Sequence, residues 1–226
     1  MMADMRGIYF YDSAIGEIKD TASDWDLIMS EKKIGMPPPR ISKVEMLDRD
    51  GDLDQSEVLR GRVSFKNRAL SFTFTCTAPQ STWADLRAEI AGFIHGKMLW
   101  IIDPDTPNHY YIGRCELHEP TYIGEAIMFL TVTVDAEPYR LRMAETTVSK
   151  SVSAGNNVVL ENELMPVVPT ITVSANMTIA FGTFSFTLVA GSTYEIPEIT
   201  LNEGENTIRI TAGSGTITFK YRQGAI

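Results

Sequence analysis

The regular alternation of apolar and polar residues restricts the fold of this chain more than any other feature. In residues 70–77 an apolar side chain occupies every second position, and serine or threonine fills the positions between. Successive side chains of a β-strand point to opposite sides of the sheet, so this segment buries one face and leaves the other in water. Similar short segments, separated by Gly, Pro, Asn and Asp, recur along most of the chain. We therefore predict a mainly β protein with antiparallel sheets.

Strand and turn signals in the first part of the chain predict a hairpin and several further strands. Residues 63–65 and 70–76 flank a short polar turn, and this spacing predicts a β-hairpin. The three prolines of residues 36–39 lack the N–H group that a central strand needs, so this segment is predicted to be a stiff connector. Further strands are predicted at residues 8–11, 25–29, 41–47, 98–102, 110–117 and 127–135.

One amphipathic helix is predicted at residues 82–95. Its apolar side chains recur three or four residues apart and form one stripe, which consists of Trp83, Leu86, Ile90, Phe93 and Ile94. Ser81 or Thr82 is suited to cap the first turn, and Gly96 stands where a residue of positive φ commonly ends a helix. The stripe is predicted to pack on a sheet.

Charge and cysteine content exclude several classes of protein. The chain has 226 residues and a formal net charge of −9, whereas a protein that binds nucleic acid of any sequence needs a basic surface. Cys76 and Cys115, its two cysteines, lie in predicted strands, which favours small core residues over a disulfide. The sequence contains neither a secretory signal nor a run of about 20 apolar residues. We expect a soluble protein that is made in a cytoplasm.

A change in composition near residue 145 indicates a second domain. Residues 146–226 are rich in Thr, Ser, Val and Asn and contain no Trp, Cys or His. Short apolar runs alternate there with turns, one of which is predicted at residues 213–215. Such spacing is typical of a small β-sandwich. We predict domains at residues 1–145 and 146–226, with the helix in the first.

An acidic run at residues 48–57 is the most conspicuous candidate for a metal site. An EF-hand calcium loop needs glycine at its sixth position and glutamate at its twelfth. Counting from Asp48 or from Asp50 satisfies neither requirement. Asp and Gly form solvated turns readily, so we interpret the run as a turn and keep a bound cation as the alternative.

Recognisable catalytic motifs are absent from the sequence. Neither a nucleophile elbow nor a phosphate-binding loop occurs, and the histidines at positions 95, 109 and 118 lack the spacing of zinc ligands. Glu195 or Glu198 could in principle serve a hydrolase of cell-wall polymers. Trp83 and Trp100 are better explained by core packing than by sugar binding. We expect no catalytic residues, no cofactor and no metal.

Several segments together share the pattern of one known family. Residues 49–54 have the form R-D-G-x-L-D, an H-G-K sequence follows the predicted helix, and residues 110–114 read Y-Y-I-G-R. The residues of this pattern that we single out are Arg49, Asp50, Gly51, Asp54, Trp83, Gly96 and Lys97. In these segments the chain resembles the distal tail protein (Dit) family of long-tailed bacteriophages.

This resemblance implies a structural role at the tip of a virion tail. Members of the family form a ring of six copies that joins the tail tube to the baseplate, the device for host adhesion. The resemblance assigns the ring contacts to residues 1–145, as a β-barrel with one helix and a protruding β-hairpin. Residues 146–226 would form an outer, galectin-like or related domain. The implied partners are the tail tube protein, a tail-associated lysin or tail-tip protein, and a receptor-binding protein.

One further function stays open beside the hydrolase. Residues 146–226 could be a carbohydrate-binding module that acts in adhesion to the host surface. That function requires exposed aromatic side chains on one face of the sandwich.

The chain also departs from the family pattern, since Met46, Leu47 and Asp48 stand where many relatives have a Pro-Gly pair.

Overall fold

The computed structural model describes residues 7–48, 50–58, 61–124 and 126–226. The chain forms two units, one that runs to Arg140 and includes Ile226, and one of Leu141–Ala225. Each unit is built mainly of strands and has its own hydrophobic core. The mainly β fold predicted from the alternation is therefore confirmed.

The first unit is one curved antiparallel sheet with a helix on its buried side. Its elements are β1 (Tyr9–Asp12), β2 (Glu17–Asp20), α1 (Thr21–Trp25), β3 (Leu27–Ile34), β4 (Lys43–Val44), β5 (Leu53–Asp54), β6 (Arg68–Cys76), α2 (Trp83–Ile94), β7 (Met98–Ile102), β8 (His109–Leu117), β9 (Thr121–Ile123) and β10 (Ile127–Ala136). The sheet has the order β2-β1-β7-β8-β10-β6-β3, and β9 pairs with β10 beyond the end of β8. β4 and β5 form a separate ribbon.

Helix α2 confirms the predicted amphipathic helix. Trp83, Ile90, Phe93 and Ile94 are buried in one core with the inward side chains of the strands, and burial of each large apolar side chain contributes about 1.5–3 kcal/mol. Gly96 follows the helix with φ +75°, as predicted. Thr82 is the N-cap residue, one of the two predicted, but its hydroxyl donates to the Pro79 carbonyl and makes no capping hydrogen bond to the helix.

The predicted hairpin of residues 63–65 and 70–76 is wrong. β6 pairs with β10 along one edge and with β3 along the other, so neither edge is open to residues 63–65. That segment lies instead against the proline connector, with a bridge between Pro39 and Phe65. The strand predicted at residues 41–47 is reduced to Lys43–Val44.

Trp25 belongs to a short helix rather than to the strand predicted at residues 25–29. The Asp20 side chain accepts a hydrogen bond from Ala22 N at 3.0 Å and so caps α1. Asp26 adopts φ +52° and ends that helix, and β3 begins at Leu27. A side chain that binds its own backbone turn therefore competes successfully with the strand pattern here.

The second unit is a sandwich of two sheets that share one long strand. Its elements are β11 (Arg140–Arg142), which begins at the division, β12 (Thr146–Ser153), β13 (Asn157–Asn162), β14 (Thr170–Val173), β15 (Met177–Phe181), β16 (Phe184–Leu188), β17 (Thr193–Glu195), β18 (Gly204–Tyr221) and β19 (Gly224–Ala225). One sheet is β12-β18-β14-β17 and the other is β13-β18-β15-β16. The turn predicted at residues 213–215 is wrong, because β18 continues through it from one sheet into the other.

Both cysteines are core residues, as predicted. Cys76 and Cys115 are free and buried among the apolar side chains of the first unit. Burial raises the pKa of the Cys115 thiol to about 12. The thiolate is the reactive form of cysteine, so this side chain is unreactive near neutral pH.

Candidate assembly surface

A two-stranded arm, described for residues 36–48, 50–58 and 61–66, leaves the sheet between β3 and β6. At its base Lys66 N donates to Pro38 O at 2.8 Å, and Arg40 N donates to Ser64 O at 2.7 Å. Further out, β4 pairs with β5. The arm is therefore an antiparallel ribbon that contains the predicted proline connector and the acidic run.

The acidic run forms the turn at the end of this ribbon. Gly51, at φ +79°, lies between β4 and β5. Asp54 Oδ1 accepts from Ser56 N at 2.8 Å, and Ser56 Oγ accepts from Ser42 N at 2.9 Å, so these residues link the two legs of the arm. The hydrogen bonds with Ser56 lower the pKa of the Asp54 carboxyl from its ordinary value of 3.8. Asp50 is exposed, and Arg49 lies outside the described residues.

Replacing Asp54 with alanine is expected to loosen the arm and leave the core intact, because the carboxylate fastens only exposed backbone. Hydrogen exchange should become several-fold faster at Ser56 and Ser42, and the thermal midpoint should not change. Asp52→Ala is the matched control, since Asp52 is exposed in the same run and makes none of these bonds. A lowered pKa means that the carboxylate's contribution is present above about pH 3.8 and disappears as the pH falls below it. Equal exchange rates in both variants at pH 7 would contradict this role.

The described part of the arm carries several exposed apolar side chains. Its exposed apolar residues are Met36, Ile41, Val44, Met46, Leu47 and Val58, and Leu47 is fully exposed. Within the described part of the arm, no residue belongs to either core. An isolated two-stranded ribbon is at best marginally stable in water. Uncovered apolar side chains on such a ribbon are typical of a surface that binds another protein.

A buried arginine fixes the base of the arm to the sheet. Arg68 Nε donates to Gly35 O at 2.8 Å and Arg68 Nη1 donates to Pro138 O at 3.3 Å. Its guanidinium lies 5.1 Å from the centre of the Tyr111 ring. Burial lowers the pKa of Arg68 from its ordinary value. The direction in which the arm leaves the sheet is therefore set by groups that pack inside the first unit.

Trp83, Gly96 and Lys97 lie at the two ends of α2, away from the turn of the arm. Trp83 is buried, and its Nε1 donates to Ala78 O at 2.9 Å. Gly96 N donates to Cys115 O at 2.8 Å. Lys97 forms an ion pair with Asp12 at 3.4 Å. These contacts hold the helix on the sheet, and the structure does not bring the three residues together with Asp50, Gly51 and Asp54.

A row of apolar side chains crosses the outer face of the sheet, and sequence reasoning missed it. Ile18, Tyr11, Trp100 and Ile112 are successive cross-strand neighbours on β2, β1, β7 and β8. The prediction that Trp100 packs in the core is wrong, because its neighbours Leu99 and Ile101 point inward and Trp100 points outward. We call these four residues the outer row.

A shallow groove of about 480 Å³ lies beside the exit of α2, and its polar groups are used for structure. His95 Nδ1 accepts from Leu117 N at 3.2 Å, and Arg114 Nη1 donates to Gly96 O at 2.5 Å. Within residues 7–48, 50–58, 61–124 and 126–226, no group of three His, Cys, Asp or Glu is placed to hold a metal ion. Thr133, which lines the groove, has its Oγ1 2.7 Å from His118 Nε2.

In the second unit, Glu195, one of the two glutamates considered from the sequence, binds a neighbouring side chain. The Glu195 carboxylate accepts from Thr170 Oγ1 at 3.1 Å. Phe184 is exposed, and its ring stacks on that of Phe186 with 6.3 Å between their centres. Phe184 is the kind of exposed aromatic side chain that a carbohydrate module requires, whereas Phe186 is partly buried against the core of the unit. No helix in the described part of the chain is both long enough and apolar enough to cross a membrane.

The comparisons with known proteins identify the fold. No family model and no curated protein matches the sequence. The crystal structure of SPP1 Dit (gp 19.1) matches with a TM-score of 0.65 and 16% sequence identity, over 96% of this chain and 98% of that one. The chain has the fold of SPP1 Dit. That protein is described as a paradigm of the hub adsorption apparatus of phages that infect Gram-positive bacteria. The resemblance noted in the sequence is therefore confirmed for the fold.

Proposed function

We propose that this chain is a structural subunit of the tail of a long-tailed phage or prophage. Its copies form the distal ring that connects the tail tube to the baseplate and host-adhesion device, at the tip of the virion tail. The SPP1 Dit fold supports this role because the likeness extends over nearly the whole of both chains. The proposal includes no catalytic activity.

The arm is the observation that carries the proposal. It presents uncovered apolar residues on a ribbon without a core of its own. In an enzyme, an exposed apolar ribbon has a function only where the ribbon covers an active site. A ring subunit, by contrast, needs an apolar surface that another copy can cover. Residues 1–145 would thus make the ring, and residues 146–226 would face outward.

The remaining parts of the proposal concern stoichiometry and partners. We expect six copies in the ring, with the tail tube protein on one side and a tail-associated lysin or tail-tip protein on the other. The outer sandwich would carry a receptor-binding protein. A closed ring gives every copy the same contacts, which suits a part that joins the tail tube to the host-adhesion device.

Native mass spectrometry over a concentration series, with electron microscopy of the same samples, tests the ring. The full chain should form a closed hexamer at high concentration or on addition of the tail tube protein. A variant in which residues 42–62 are replaced by Asn-Gly keeps the paired base of the arm and should stay monomeric but folded. A full chain that remains monomeric under both conditions would contradict the proposal.

A carbohydrate-binding module is the second candidate, because Phe184 and Phe186 are stacked on the outer sandwich. Glycan-array binding by the full chain, lost in Phe184→Ser and kept in Val159→Ser, would favour it. Val159 is a suitable control because it is exposed in the same unit. An array without signal would contradict this second function and would not affect the proposal of a ring.

A further inference from the structure

The buried side chain of Arg68 has no acidic partner among the described residues. Arg68 is 2% exposed, and a charged side chain is rarely buried to this extent unless an opposite charge pairs with it. Its hydrogen-bond partners in the described chain are two backbone carbonyls and one thioether, none of which carries a charge. The face of the Tyr111 ring attracts the guanidinium but supplies no full counter-charge.

The weakest of these contacts is the one to Met36. Arg68 Nη2 lies 4.0 Å from Met36 Sδ, and a thioether is a poor hydrogen-bond acceptor. The better bonds, to carbonyl oxygens, use Nε and Nη1. Met36 is 75% exposed, so its flexible side chain can move aside. Nη2 is then open to a stronger acceptor.

A second arginine with an unused donor lies close to Arg68. Arg140, at the end of the first unit, has a buried Nε without a hydrogen-bond partner among the described residues. Burial is the main cause that lowers the pKa of Arg68, and the positive charge of Arg140 lowers that pKa further. Buried donors without a partner are rare in folded proteins, and each requires an explanation, such as an ordered water or an ion. Two like charges with donors to spare therefore lie near each other.

We propose that Arg68 and Arg140 form a binding site for a small oxyanion, a carboxylate or a phosphate group, which replaces the Met36 thioether. The anion accepts from Arg68 Nη2 and Arg140 Nε and supplies the missing counter-charge. Guanidinium N–H groups match the oxygens of both kinds of anion, and these charge-assisted bonds are stronger than neutral ones. Arg140 is half-buried, so the anion can enter from solvent along this side chain. The site does not depend on the proposed ring.

Nuclear magnetic resonance of the arginine Nε–H groups in the full chain tests the site. Phosphate and acetate are added in separate series and compared with chloride at equal ionic strength. Each anion that binds should shift the signals of Arg68 and Arg140 until they saturate, and the series that saturates first identifies the preferred group. Arg142, whose Nε donates to Glu163 at 3.0 Å, is the internal control and should not shift. Signals that respond to neither anion would overturn the proposal.

A matched pair of variants locates the site. Arg140→Met should weaken binding of either anion about tenfold or more, because one charged hydrogen bond is lost. Arg142→Met removes an arginine of the second unit and should leave the affinity unchanged. An affinity that is the same in Arg140→Met as in the wild type would place the anion elsewhere and overturn the site.

A glutamate at position 36 tests the site by supplying the oxyanion from the chain itself. The carboxylate carbon of Met36→Glu takes the place of the methionine sulfur, and its oxygens extend one bond further toward Arg68 Nη2. The variant should raise the thermal midpoint of the first unit by about 4 °C and should no longer respond to phosphate or acetate. Met36→Gln has the same shape without the charge and should do neither. A Met36→Glu variant that binds added anion as tightly as the wild type would contradict the shared site.

Discussion

Replacing Lys32 with methionine is expected to lower the free energy of unfolding of the first unit by about 3 kcal/mol at pH 7. Lys32 Nζ lies 3.0 and 2.8 Å from the two carboxylate oxygens of Asp103. The Asp103 side chain is 4% exposed and that of Lys32 is 21% exposed. Without the lysine, the buried carboxylate keeps Asp105 N as a donor but loses the counter-charge of Lys32. The value is at the low end for buried pairs because water partly screens Lys32. Urea denaturation measures it.

The double variant Lys32→Met/Asp103→Asn separates a lost ion pair from lost packing. Removing both charges together should restore most of the stability, because a buried pair replaced by neutral groups is often nearly neutral in energy. The double variant should therefore be more stable than Lys32→Met alone. If the two substitutions simply add, the two side chains are not coupled and this explanation is wrong.

The same pair predicts a loss of stability at alkaline pH. Burial acts to lower the pKa of Lys32, but hydrogen bonds to Asp103 and Asp105 outweigh it and raise the pKa above its ordinary value of 10.5. A folded-state pKa above the unfolded one means that the contribution is fully present below about pH 10.5 and is lost as the pH rises through the raised value. The difference in stability between wild type and Lys32→Met should accordingly shrink above that pH.

This ion pair illustrates what the sequence alone could not predict. Lys32 and Asp103 are 71 residues apart. The pairing register of β3 with β6 shifts between Met29 and Glu31, and this irregularity changes which side of the strand Lys32 occupies. A period-2 pattern counts one residue per step and does not reveal such a shift. The sequence pattern therefore did not reveal that Lys32 lies on the inward side of β3.

Local periodicity predicted those helices and strands whose apolar pattern is complete within one short stretch of sequence. Helix α2 and strands β7, β8 and β10 were found because their patterns extend over several repeats. The partner of residues 63–65 was not found, because pairing depends on distant segments. The direction of Trp100 was missed because Leu99, Trp100 and Ile101 are all apolar, which hides the alternation between faces.

The candidate assembly surface was predictable only in part. The turn at residues 48–57 followed from Asp and Gly chemistry, which is local. The outer row joins side chains from four strands, and the two closest to each other in sequence, Tyr11 and Ile18, are seven positions apart. No local signal marks such a row, so it emerges only once the register of the sheet is known.

Replacing Gly213 with alanine is expected to destabilise the second unit by about 3 kcal/mol. Gly213 lies where β18 passes from one sheet to the other, at φ +87°. A Cβ atom there would lie 2.5 Å from Asn176 O and 2.8 Å from Met177 Cα. Backbone atoms cannot move aside cheaply, so the overlap adds to the strain of positive φ. Hydrogen exchange at Ile217 and Phe219, which belong to the shared strand and its core, measures the loss.

Gly191→Ala separates the two causes of that loss. Gly191 has φ +78°, close to that of Gly213, but a Cβ atom there would meet nothing within 4 Å. Its replacement should cost only the backbone strain, about 1 kcal/mol. The difference between the two variants is then the cost of spreading β18 from the segment 176–177. Because both sheets depend on β18, that cost falls on the whole sandwich. Equal losses in the two variants would show that close packing at the crossing point does not limit the fold.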